Sequence, residues 1–106
     1  MKLPKSLKKL KNKLRYLLIV RRVTGESMLP TLRPGKIVVG SSLLPVKAGR
    51  IIVFRHKNIE KIKRVKVIKD NQLEVVGDNP GESTDSRTFG LVNQDEYIAG
   101  VIWPWR

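Results

Sequence analysis

Leucine recurs at positions 3, 7, 10, 14 and 17, at spacings of four, three, four and three. That period places the five side chains on one face of a helix. Lysines and Arg15 occupy most of the remaining positions. The pattern predicts a basic amphipathic helix over residues 2–18, with Pro4 tolerable in its first turn. Beyond it the period shortens. Residues 19–23, 37–39, 50–54, 60–68, 73–76 and 97–102 read as strands, several of them rich in β-branched side chains. Arg33-Pro34-Gly35, His56-Lys57-Asn58 and Asp70-Asn71 are turn signals between them. Ile51-Ile52-Val53 is too continuous for a strand with one wet face, so burial on both faces is expected. Residues 60–68 interleave charge and apolar residues without a clean face. Strict alternation puts Lys63 with Val65 and Val67, and a β-bulge would account for the mixed pattern by re-aiming one residue.

The fold class expected from these elements is mainly β: residues 1–18 as the amphipathic helix and residues 19–106 as one body of short strands, a small barrel or folded sheet. A chain of 106 residues suits one domain. Residues 77–87 form a polar stretch without strand or helix pattern, close to the length of about 12 at which loops tend to be functional.

Charge changes the picture mainly at the start of the chain. The net charge is +13, yet residues 1–22 hold nine Lys or Arg and no acid, while residues 23–106 hold thirteen basic and nine acidic side chains. The helix then has three destinations: its leucines pack on the body, it lies on an anionic membrane surface, or its basic face binds nucleic acid or a partner. Tyr16 is its only aromatic residue, a poor base-stacking surface, and no specific nucleic acid is expected. The uncharged apolar run 16–20 is far shorter than the roughly 20 residues that span a bilayer. It is also shorter than the about 7–15 apolar residues of a secretory signal. A cytoplasmic protein, free or peripheral to a membrane, is the expectation. With no cysteine and one histidine, thiolate zinc sites, disulfides and multi-histidine metal sites are excluded within one chain; no metal or cofactor is expected.

Candidate chemistry centres on Gly25-Glu26-Ser27-Met28-Leu29-Pro30-Thr31-Leu32. Glycine allows an unusual backbone there and proline stiffens it. A serine hydroxyl is a weak nucleophile until a base takes its proton. His56 is the familiar type of base, but it sits in a charged turn between Arg55 and Lys57 and reads as a surface residue. A lysine can serve if burial favours its neutral form, and Lys63, set beside Val65 and Val67 by alternation, is the lysine expected to turn inward.

Four blocks extend this pattern: Gly25-x-Ser27-Met28-x-Pro30-Thr31-Leu32; Pro34-Gly35-Lys36-Ile37-Val38; Lys63-Arg64-Val65; and Gly77-Asp78-Asn79 followed by Ser83-x-Asp85-Ser86-Arg87-x-Phe89-Gly90. Their order and spacing resemble the type I signal peptidase family of serine–lysine endopeptidases, from about Val23 to Trp103. The resemblance implies a signal-peptidase-type β catalytic core, with Ser27 as nucleophile and Lys63 as the general base that then protonates the leaving amine. It implies that Ser83 orients the Lys63 amine and that Asp85 and Arg87 form a structural pair near the site. Gly25 falls in the oxyanion-hole region, where some members supply a side-chain donor that glycine lacks. Unlike ordinary signal peptidases, the chain has neither spanning helices nor room for a large accessory β-domain. The blocks Arg22–Gly35, Arg55-His56 and Gly77–Arg87 look most like the branch that matures nickel-type superoxide dismutase. That likeness implies removal of an N-terminal propeptide from the dismutase precursor, the nickel belonging to the substrate. A reduced signal peptidase acting on exported precursors, and a LexA-like self-cleaving or nucleic-acid-binding regulator, are the alternatives.

Overall fold

The computed structural model describes residues 4–82 and 89–104. Helix α1 (Lys5–Arg15) leads into strand β1 (Ile19–Arg22), and β2 (Ile37–Ser41), β3 (Ile51–His56), β4 (Ile59–Lys69) and β5 (Gln72–Val76) follow. A 3-10 turn (Pro80–Glu82), the two-residue β6 (Val92–Asn93), a second 3-10 turn (Gln94–Glu96) and β7 (Tyr97–Trp103) complete the order. The fold is mainly β, as the sequence predicts.

All seven strands belong to one antiparallel sheet in the order β1-β2-β7-β3-β4-β5-β6. β1 and β4 are separated by three intervening strands, which in a flat sheet puts them roughly 19 Å apart at the usual strand spacing. Yet the Arg21 guanidinium of β1 pairs with the Glu60 carboxylate of β4. The sheet therefore curls until its first strand lies against the start of β4, and that closure creates the cleft described below.

The core follows the curl. β3 is buried on both faces, as its apolar run requires. Ile51 joins Val23, Met28, Leu32 and Val38; Val53 joins Ile19, Ile98 and Ala99; Ile52 and Phe54 face Val65, Leu73, Val75 and Val92. The expected irregularity in β4 is present. Its register against β5 shifts between Val65 and Val67, so Val65 is buried while Val67 is exposed. The β3–β4 connection is a two-residue turn, Lys57-Asn58, with both φ values positive (51° and 63°), the form that matches the twist of a hairpin. Gly100 of β7 makes room for Leu44 of the loop between β2 and β3: an added Cβ would stand 2.6 Å from Leu44 Cδ2.

Helix α1 is shorter than the periodicity suggests. Tyr16 leaves helical geometry after donating its N–H to Asn12, and the strand begins at Ile19. No residue of the helix is buried. Its attachments to the body include two bonds from Ser42, whose hydroxyl donates to the Lys13 carbonyl and whose N–H donates to the Tyr16 carbonyl. The leucines do not pack on the body: Leu7, Leu10 and Leu14 are all exposed.

Tyr97 donates its hydroxyl to the Leu44 carbonyl, tying β7 to the 42–50 loop. Burial pushes its phenol up to about 12, above the ordinary value of about 10. The folded state thus holds this proton more tightly than the unfolded chain. The corresponding stability is whole below about pH 10 and is lost as pH rises through the folded value. In urea unfolding between roughly pH 9 and 12, the parent should lose stability steeply. Tyr97→Phe should start less stable and show a shallower alkaline decline.

Candidate active site

The segment Gly25–Leu32 between β1 and β2 is held from two sides. From below, Met28 and Leu32 are fully buried and pack with Val23, Val38 and Ile51. The turn also closes on itself, Leu32 N–H donating to the Met28 carbonyl at 2.9 Å and Leu29 N–H to the Glu26 carbonyl at 3.2 Å. From the side, Asn79 donates its backbone N–H to the Ser27 carbonyl at 2.8 Å and its side-chain amide to the Glu26 carbonyl at 3.1 Å. Ser27 is left half-buried at the surface of this anchored turn.

Lys63 lies on β4 opposite Ile52 of β3 and is 5% exposed. It shares a strand face with Val65, as alternation predicts, and both are buried. Ser27 and Lys63 line one cleft of about 250 Å³, together with Arg21–Thr24 and Met28 on one side and residues 59–62 on the other. The ladder of β4 with β5 begins only at Arg64↔Val76, so the cleft runs along the first half of β4, and β1 faces it from the sheet edge. Ser83, Asp85 and Arg87 lie outside the described residues.

A second group of residues ties the two sides together. Asp78 accepts from Arg64 through both carboxylate oxygens, Nε to Oδ1 at 2.8 Å and Nη2 to Oδ2 at 2.7 Å. The Thr31 hydroxyl also donates to Oδ2. Arg64 extends a further N–H to the Gly49 carbonyl at 2.7 Å. The Arg64 fork, and secondarily the Thr31 hydroxyl, hold the Asp78 carboxyl below the usual carboxylate range; Asp78 in turn raises Arg64. The sequence carries all three residues inside the four blocks. Nothing in periodicity or composition says that an arginine in a strand, an aspartate in a polar loop and a threonine in a turn converge.

His56 is not a free surface residue. Its ring packs on Phe89 with centroids 5.0 Å apart, and Nδ1 lies 2.9 Å from Glu96 Oε2. It sits at the far end of β3 and does not line the Ser27 cleft. The sequence reads His56 as a surface residue; the ring instead belongs to another cluster. Among the described residues no group of three or more His, Cys, Asp or Glu converges on one point to hold a metal ion.

Gly25 has a φ of +73°, and an added Cβ would meet nothing within 4 Å. Its constraint is thus conformational and not steric. A serine there would gain a hydroxyl at the cost of a left-handed backbone, roughly 1–2 kcal/mol for an L side chain.

Compared with families of known proteins, residues 2–102 match Peptidase S24-like. No curated protein matches the chain. The match covers nearly the whole chain, so the protein belongs to the Peptidase S24-like family.

Two outcomes test the geometry of the site. Asp78→Asn should cost about 1–3 kcal/mol in denaturant unfolding, because it leaves a charged fork and a hydroxyl poorly matched. Since the Asp78 carboxyl is depressed in the fold, its contribution is whole above the unfolded value of about 3.9 and is lost as pH falls through the lower folded value. The acid-side decline should therefore be steeper in the parent than in Asp78→Asn. Gly25→Ala should lower stability by about 1 kcal/mol without altering the core, as read by near-ultraviolet circular dichroism.

Proposed function

We propose that this S24-like domain is a serine endopeptidase in which Ser27 is the nucleophile and Lys63 the general base. The observation that carries the proposal is the shared cleft: a half-buried serine on a fixed turn and a buried lysine, far apart in the chain, line the same 250 Å³ space. Burial strips water from an ammonium, the condition under which a lysine serves as a base. Lys63 would take the Ser27 hydroxyl proton as Oγ attacks the scissile carbonyl carbon. It would then return that proton to the leaving amine as the peptide bond breaks. Water, deprotonated by the same amine, would release the acyl group and restore the serine. With glycine at position 25, backbone N–H groups must carry more of the oxyanion. A side-chain donor of that kind is worth roughly 10²-fold in rate where present, so a slow enzyme is expected.

An extended peptide suits the cleft. β1 is an edge strand whose ladder partner is β2 alone, and an edge strand can pair with an added peptide strand. The substrate proposed is the precursor of nickel-type superoxide dismutase, cleaved to free its mature N-terminus. The blocks from Arg22 to Gly35 and from Gly77 to Arg87 support that branch. Exported precursors are the alternative substrate of a reduced signal peptidase. The S24-like match also supports a second reading, a LexA-like regulator that cleaves its own chain.

One assay separates these readings. The purified chain is incubated alone, with the dismutase precursor, and with an exported precursor, and the products are read by intact mass. The precursor should lose its propeptide at a rate that scales with enzyme concentration. Lys63→Ala should lower that rate by 10²-fold or more, Ser27→Ala should abolish it, and His56→Ala should leave it close to parental. Shortening of the chain itself at a rate independent of its concentration would favour the regulator. Trimming by Ser27→Ala and Lys63→Ala as fast as by the parent would overturn the dyad.

A further inference from the structure

Helix α1 is turned the opposite way from an ordinary surface helix. Lys5, Lys8, Lys9 and Lys13 line a cleft of about 420 Å³ between the helix and the body, which Asp95 and Tyr97 line from the other side. The leucine face points away: Leu7, Leu10 and Leu14 are 48%, 52% and 59% exposed. Leu17, Leu18 and Val20 continue the exposed apolar surface along the chain. Across the β1–β2–β7 ladders Val20 lies opposite Val39, and Val39 opposite the exposed Trp103.

Such a helix is poorly stable by itself. It has eleven residues, none buried, and no side-chain cap; isolated helices below about 12–15 residues are marginal in water. Lys5, Lys9 and Lys13 stand four apart, as do Lys11 and Arg15, and like charges at that spacing repel. The six cations of the helix have no acid among them. A surface that covers the leucines and neutralises Lys11 and Arg15, which flank them, would lower both costs together.

We infer that α1 docks on an anionic lipid surface, lying in the headgroup plane with Leu7, Leu10, Leu14 and Leu17 against the acyl chains. Lys11 and Arg15 flank this face and can carry their charges to the headgroups along their apolar stems. Each cation near an anionic surface strengthens partitioning roughly fivefold. A second copy of the chain is the poorer occupant, since pairing two leucine faces would bring the flanking Lys11 and Arg15 of each helix together with no acid in either helix to offset them. Nucleic acid is poorer still: it would need the lysine face that lines the inner cleft, whereas the outward face is leucine. Because β1 follows the helix directly and Arg21–Thr24 line the Ser27 cleft, docking would hold that cleft near the membrane. The docking itself is independent of whether the cleft is catalytic.

Flotation of the full chain with phosphatidylcholine vesicles, with and without added phosphatidylglycerol, tests this. The parent should float with the anionic vesicles only, and high salt should release most of it. Leu10→Asp with Leu14→Asp should reduce vesicle partitioning at least tenfold with an unchanged unfolding midpoint, since neither side chain is buried in the fold. Lys11→Glu with Arg15→Glu should weaken anionic binding with the same fold retained. Equal flotation of the parent with neutral and anionic vesicles, or undiminished flotation of the double aspartate variant, would overturn the inference. So would a parent dimer in sedimentation that the aspartate pair dissociates, or DNA retention that it leaves intact. None of these readouts uses peptidase activity, so failure here and failure of the Ser–Lys assignment are separate results.

Discussion

The carboxylate of Asp78 is the tie on which the site depends. Both of its oxygens are taken by the Arg64 fork, and one also accepts from Thr31. Each partner is a short step in the chain from a proposed reacting group. Arg64 follows Lys63 on β4, Thr31 lies one turn beyond Ser27, and Asn79, next to Asp78, donates to the Ser27 carbonyl. A bidentate arginine–carboxylate pair fixes orientation as well as distance. The relative placement of the serine turn and the lysine strand is therefore set by one partly buried ion pair and its two neighbours. A flexible loop contact would not set it so closely.

That tie works because the turn is also anchored from beneath. Met28 and Leu32 sink into the cluster with Val23, Val38 and Ile51, so Ser27 cannot swing out without opening the core. Ile51 belongs to the same β3 that carries Lys63 on its neighbour, through the Ile52↔Lys63 pair. The curl of the sheet, closed by Arg21 and Glu60, brings these two supports to either side of a cleft. Preorganisation of this kind is what nucleophilic catalysis needs, because small misplacements of the reacting atoms cost large factors in rate. Helix α1 stands in contrast. It contributes nothing to the core, and its apolar face is spent outward.

Much of the β framework was legible in the sequence. The apolar run of β3 implied burial on two faces, the mixed pattern of β4 left room for a bulge, and the turns at 57–58 and 70–71 fell where the hairpins are. β6 was not legible: two residues, Val92–Asn93, carry no periodicity. The leucine stripe correctly predicted a helix but not its facing, because an amphipathic pattern is silent on which face meets the body. Nor did position in a charged turn reveal that His56 would pack on Phe89 and approach Glu96. Of the site, Ser27 and Lys63 could be picked out and do line one cleft, whereas the Arg64–Asp78–Thr31 junction could not be paired before the topology was known. Ser83, Asp85 and Arg87 keep only the support of resemblance.

The claim at the centre is that Ser27 becomes acylated because Lys63 removes its proton. The most direct measurement is intact-mass and peptide-mapping analysis of the chain after brief exposure to a peptide-ester probe, comparing the parent with Lys63→Met, which keeps the stem and removes the amine. An acyl adduct mapped to Ser27 is expected in the parent, and a much slower one, or none, in Lys63→Met at the same folded content. An adduct on another residue, or equal acylation of Ser27 without the Lys63 amine, would contradict it.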